Sequence, residues 1–204
     1  MGKREAARAE TRDRIVEATA KLHGERGVFG TSWQAIADEA DVSVATVYNH
    51  FPSLEELLPA CGAMIMQRAR PPRVNQAAEI FGDARGAAER LRAVARSLFA
   101  YYERGGPHLE VDVRERELLP GMREWEESER ATVTALIREA IAGKKVARGV
   151  LQRVGGLFDP PTYRAMRTRG LSATAAADTV AALAACLIDE AGQSRPGTNR
   201  KERG

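Results

Sequence analysis

The chain predicts an all-α protein of about nine to ten helices. Three observations carry that prediction. Apolar residues recur at helical spacing along most of the length, and no stretch alternates apolar and polar with the period of a strand. Glycine and proline cluster at 27–30, 71–72, 105–107, 120–121 and 155–161, dividing the helical pattern into segments. No internal repeat is present.

At 204 residues, with 44% hydrophobic and 29% charged side chains, the chain has enough apolar material for a core and suits a soluble protein. It lacks an apolar run of about 18 residues, so no membrane span is expected. Its opening, MGKREAARAETRDR, is charged and has no apolar centre, which excludes a secretory signal and points to the cytoplasm. Cys61 and Cys186 fall in apolar helical stretches and read as buried free thiols of a reducing compartment.

Residues 1–8 read as a frayed basic arm, and 9–26 as a helix with Ile15, Val16, Ala18, Thr19 and Leu22 on one side, ended by Gly27. His23 on this helix has no second ligand at metal spacing and reads as a packed or half-exposed residue. Thr31 with Gln34 fits a capping box and starts a second helix, with Ile36, Ala37 and Ala40 facing inward. That helix must stop near Asp41, a position needing a left-handed backbone that aspartate tolerates better than most residues. Ser43 caps a third helix over 44–49, closed by Phe51-Pro52, and Ser53 with Glu56 forms another capping box opening a helix over 54–70. A polar linker follows Pro71-Pro72. Leu91, Val94, Ala95, Leu98, Phe99 and Tyr102 make a strong stripe over 86–103; a shorter helix is predicted over 108–119, a full one over 122–142, and one interrupted by glycines over 145–157. Asp159-Pro160 opens a short helix to 169, Ser172 caps a long alanine-rich one over 173–191, and the tail beyond Gly192 reads as disordered. The domains are therefore expected at 1–54, 55–192 and 193–204.

Two short helices joined by a tight turn, with small Ala37 and Ala40 at their crossing, form a helix-turn-helix. Its second helix has to fit the major groove of duplex DNA, so the outer face must be small or polar. Ser43, Val44, Ala45 and Thr46 meet that requirement, while Tyr48, Asn49 and His50 place polar tips at the far end. Thr31, Ser32 and Trp33 can offer backbone amides to a phosphate from the preceding helix, although Trp33 serves as well as an anchor between helices.

The pattern Ile36-Ala37, Val42-Ser43, Thr46-Val47-Tyr48 and His50-Phe51, followed by Ser53 and Glu55-Glu56-Leu57, resembles the DNA-binding head of the TetR family of bacterial transcriptional regulators. The likeness reaches back to Ile15-Val16 and Gly27 and covers about residues 10–60; the remainder is similar only as a helical body of suitable length. The resemblance implies that Ser43, Val44, Ala45, Thr46, Tyr48 and His50 face DNA, with Tyr48, His50 and Thr31 on phosphates. It also implies a homodimer on a palindromic operator, released when a small molecule enters the body and changes the separation of the two recognition helices. Three positions depart from the family pattern: Asp41 replaces the turn glycine, His23 a frequent aromatic, and Leu54 a lysine. Over residues 1–54, seven basic residues (Lys3, Arg4, Arg8, Arg12, Arg14, Lys21, Arg26) meet eight acidic ones, so the head is about neutral. Weaker DNA binding with a shallower salt dependence is expected than in a lysine-bearing relative.

Phe99, Tyr102, His108, Met122 and Trp125 are the candidate effector-binding residues. Arg114, Glu115 and Glu117 could join them, but charged residues in such a stretch more often form a solvated face. Tyr163, Val180, Leu183, Ala184 and Leu187 are the candidate dimer contacts, because small residues on several faces of the 173–191 helix allow close approach of a second copy. An enzyme is disfavoured: the three histidines stand at 23, 50 and 108, and HExxH, GxSxG, Walker A and CxxC sequences are missing. No metal or cofactor is expected. A helical module that keeps the fold and no longer grips DNA is the remaining alternative.

Overall fold

The structure, a computed structural model, describes residues 2–109, 115, 118, 119 and 121–193, and every regular element among them is helical. Two compact units share the chain: Met1–Pro71 with Tyr101–Glu126, and Pro72–Ala100 with Glu127–Gly204. The 54–69 helix, assigned to the body in the sequence reading, thus shares a unit with the head.

The first unit contains α1 (Lys3–Arg26), α2 (Trp33–Glu39), α3 (Val44–His50), α4 (Leu54–Ala69) and a 3-10 turn, Gly106–Leu109. The expected arm is helical from Lys3, because alanine, glutamate and arginine are strong helix formers and Glu5 complements the first turn. Ile15, Val16, Ile36, Ala37, Val47, Phe51 and Leu57 close one apolar core, all at or below 4% exposure, and Val42 packs onto it. Surface pairs join the helices outside that core: Lys21 Nζ meets Glu39 at 2.8 Å, and Arg68 grips Glu17 with both guanidinium nitrogens. Such exposed pairs contribute about 0–1 kcal/mol each. Arg104 caps α4, its Nε donating to Ala69 O at 2.8 Å and Nη2 to Arg70 O at 3.2 Å.

The first capping box is displaced by one residue. Ser32 is the N-cap of α2, its Oγ accepting from Ala35 N at 3.1 Å, while Thr31 Oγ1 donates to Gly27 O at 2.8 Å and is used within the loop. Ser53 stands at the N-cap of α4 without a side-chain cap bond. The turn after α2 closes as a Schellman motif: Val42 N donates to Ala37 O at 3.0 Å and Asp41 N to Asp38 O at 3.3 Å. Asp41 has φ of 53°, so the left-handed residue demanded by the link is present without glycine.

The second unit contains a 3-10 turn, Val74–Gln76, α5 (Ala77–Phe81), most of α6 (Gly86–Gly105) and of α7 (Met122–Ala140), α8 (Arg148–Leu157), α9 (Pro160–Thr168) and α10 (Ala173–Gln193). The 74–81 helical turns replace part of the expected linker, where buried Ala77 gives the segment an apolar anchor and the Gln76 side chain accepts from Arg73 N. The stripe of α6 is buried from Leu91 to Phe99. α10 packs against α8 and α9, and Arg96 holds Asp178 of α10 through bonds of 2.8 and 2.9 Å. Cys61 is buried as expected, but Cys186 is exposed, because it falls on the outer face of α10. Most of the predicted 108–119 helix and the tail from 194 lie outside the described residues.

Replacing Asp41 by glycine removes the Cβ penalty of a left-handed residue at the cost of a looser unfolded chain. The expected result is a gain of about 0.5–1 kcal/mol in unfolding free energy, read by denaturant titration; Asp41→Val should move the midpoint the opposite way.

Candidate nucleic-acid interface and cavity

The orientation of α3 follows from two buried residues. Val47 is 0% and Phe51 2% exposed, which turns Ala45, Tyr48 and Asn49, spaced one helical turn apart, to the outside. Ser43 caps the helix, its Oγ accepting from Thr46 N at 3.1 Å and lying 2.8 Å from Thr46 Oγ1. The two hydroxyls are therefore ordered by each other at the start of the exposed face. Val44 and Thr46 are half-buried.

Trp33 of α2 stacks on Tyr48 of α3 with ring centroids 4.9 Å apart. Stacking fixes the tyrosine ring while leaving the residue 45% exposed, so its hydroxyl is presented from a rigid support. Ser32 is exposed and Thr31 half-buried beside it. Arg12 of α1 lies over the Phe51 ring at 4.8 Å from the centroid, a cation–π contact that brings a basic side chain to the end of α3. His50 is half-buried there, and burial with Arg8 and Arg12 nearby lowers its pKa. Arg12 and Phe51 stand 39 residues apart, so no local pattern in the sequence signals their contact.

The first unit also contains a cavity of about 1040 Å³. Leu58, Cys61, Ile65 and Met66 of α4 line one part, and Leu109, Met122 and Trp125 another. Its polar lining includes His23, Arg26, Glu55, His108 and Glu115. Of the expected effector contacts, His108, Met122 and Trp125 line this cavity. Phe99 belongs to the second unit, fully buried and edge-on to Tyr163 at 5.1 Å. Tyr102 is 3% exposed and absent from the lining. Arg114 and Glu117 lie outside the described residues.

Two lining side chains reach the end of α1. His108 Nε2 lies 2.7 Å from Ala20 O, and its Nδ1 3.3 Å from Gly105 O. Glu115 Oε1 accepts from Phe29 N at 2.9 Å. Both contacts depend on glycine. A Cβ on Gly24 would stand 3.1 Å from the His108 ring, and one on Gly27 would stand 2.6 Å from the Glu115 carboxylate, where φ is also +77°. Gly24 within a helix is unfavourable by about 1 kcal/mol relative to alanine, a local mark in the sequence of the close packing at the cavity's polar end. Burial lowers the His23 imidazole from 6.5 to about 4, with Glu115 opposing and His108 adding to the shift. Burial raises the Cys61 thiol to about 11.

The expected dimer contacts separate. Tyr163, Val180 and Ala184 are buried in the core of their own chain at 8%, 0% and 0% exposure. Leu183 is 48% exposed and Leu187 half-buried. Among the described residues no cluster of histidine, cysteine and acids could hold a metal, and no helix is long and apolar enough to cross a membrane.

Residues 15–61 match the family model of bacterial regulatory proteins, tetR family. Over 52 residues the chain is 42% identical to the HTH-type transcriptional repressor KstR of Mycobacterium tuberculosis, covering 26% of this chain and 24% of that protein. Over 62 residues it is 39% identical to KstR of Rhodococcus jostii, covering 30% and 29%. The chain thus matches less than a third of the length of these curated relatives. A TetR-like transcriptional regulator from Rhodococcus sp. RHA1 superposes over 91% of this chain and 97% of its own, at TM-score 0.64 and 19% identity. AibR, solved with isovaleryl coenzyme A and operator DNA, superposes over 85% and 97%, at 0.61 and 23%. At these identities the structures share the fold.

The His23 shift fixes a pH dependence. The folded pKa lies below the unfolded value, so the folded chain favours the neutral ring, and this stability is fully present above pH 6.5. It is lost as the pH falls toward about 4. Thermal unfolding followed by circular dichroism should therefore show a falling Tm across that window, and a smaller fall in His23→Gln.

Proposed function

We propose that this chain is a ligand-responsive, DNA-binding transcriptional regulator, a reading supported by the match of residues 15–61 to the family model of bacterial regulatory proteins, tetR family. It acts as a repressor that holds a palindromic operator as a homodimer in the cytoplasm and is released by a small molecule. The observation that carries the reading is the exposed, small-and-polar face of α3, held outward by buried Val47 and Phe51 and started by the Ser43–Thr46 pair.

The recognition helix enters the major groove with Val44, Ala45 and Thr46 against base edges and Ser43, its cap, toward a phosphate. Tyr48, Asn49 and His50 lie toward the phosphate backbone, with Thr31, Ser32 and Trp33 supporting from α2. Two copies place their recognition helices about 34–36 Å apart, one turn of the duplex. A ligand in the cavity alters how α1 and α4 hold the head, and the spacing is lost. The neutral charge of residues 1–54 favours a second reading, an interaction module without DNA affinity. Selecting bound duplexes from a random pool separates the two, since the module would enrich none.

Thr46→Ala should relax sequence preference, and Tyr48→Phe should weaken binding to every duplex alike, each by about five- to tenfold. Fluorescence anisotropy against the selected operator measures both, and unchanged affinities would remove α3 from the interface. Leu183→Glu with Leu187→Glu should give monomers in analytical ultracentrifugation. Dimers that survive both changes would place the self-association surface away from α10.

A further inference from the structure

Resting on the reading of the first unit's cavity as an effector site, its polar end identifies a class of ligand. We propose that the cavity takes a small molecule with an apolar body and a hydrogen-bond-donating end, an amine or a hydroxyl, which seats on Glu115 in place of the Phe29 amide.

The body of the site is apolar and adaptable. Leu58, Ile65, Met66, Met122 and Trp125 face a space of about 1040 Å³, large enough for a drug-sized ligand. At the polar end the hydrogen-bonding capacity is unevenly distributed. Both His108 nitrogens already lie at backbone carbonyls. His23 is kept neutral by burial, so it offers no positive charge to an anion. Glu115 and Glu55 are the acids of the described lining and Arg26, exposed, its guanidinium. An acidic end seated here would set its charge against the Glu115 carboxylate, whereas a donor finds a ready acceptor in it.

Glu115 is also the acceptor for Phe29 N at 2.9 Å, and its carboxylate lies against Gly27 in the gap left by the missing Cβ. The loop from Gly27 to the Ser32 cap of α2 is held to α1 by Gly27 N on His23 O, and within itself by Thr31 Oγ1 to Gly27 O and Thr31 N to Val28 O. A donor that draws the carboxylate into the cavity therefore releases the tie between Glu115 and the middle of this loop, a few residues before α2 begins. Occupancy and the position of the helix-turn-helix are linked through one carboxylate.

Decylamine, decanol and decanoate share one apolar body and differ in the end group. Quenching of Trp125 fluorescence in the full chain, with Trp125→Phe as the blank, gives their affinities. The amine and the alcohol should bind about tenfold or more tighter than decanoate, and Glu115→Gln should shrink the amine's advantage to about threefold or less. In the same samples, saturating decylamine should shift the Phe29 amide resonance and speed its exchange with solvent. Decanoate binding as tightly as decylamine, or a Phe29 amide unmoved at saturation, would overturn the proposal. Neither readout involves DNA, so a chain that bound no operator would still decide this point, and operator binding without donor selectivity would defeat this inference alone.

Discussion

Val47 and Phe51 have to be buried for the opposite face of α3 to be available. The helix is seven residues long and could not hold its own conformation in water. Its stability comes from the core formed with Ile15, Ile36, Ala37 and Leu57, which α1, α2 and α4 complete. Small residues at the α2–α3 crossing let the backbones approach, and the left-handed turn at Asp41 sets the angle between them. Once that core closes, the exposed face has only one arrangement: Ala45, Tyr48 and Asn49 outward, Ser43 and Thr46 at the leading end.

α1 serves the head and the cavity together. Ile15, Val16 and Leu22 supply core, Arg12 reaches the Phe51 ring, and the Ala20 carbonyl in its C-terminal half meets His108. Gly24 and Gly27 are small for a shared reason, since each leaves room for a side chain from the 106–119 region. The end of one helix is thus fixed by the side chains that line the cavity, which gives a short physical route between cavity and head.

Electrostatics sharpen this picture. Residues 1–54 carry nearly balanced charge, so a broad attractive field is missing, and under the proposed function affinity for a phosphate backbone would come from groups held in position. The Ser43–Thr46 hydroxyl pair, the Trp33-supported Tyr48 ring and the arginines beside His50 are such groups. Glu17 and Glu39 meanwhile engage Arg68 and Lys21 between helices, which removes part of the basic charge from any role toward a ligand.

The sequence by itself determined the all-helical class, most helix positions, the need for a left-handed residue at Asp41 and the short set of side chains on the outer face of α3. These are set by local rules, periodicity, caps and turn geometry, that act over a few residues. It placed the first cap one residue early, at Thr31, because the competing Gly27 carbonyl becomes a partner only when the loop closes. It took Val180 and Ala184 as contacts for a second copy, where α8 and α9 of the same chain pack on α10; an apolar stripe does not say what covers it. Tertiary structure alone decided that Glu115 meets Phe29 and His108 meets Ala20, contacts spanning 86 and 88 residues. Pairings at that distance come from how helices pack, and no local pattern encodes them.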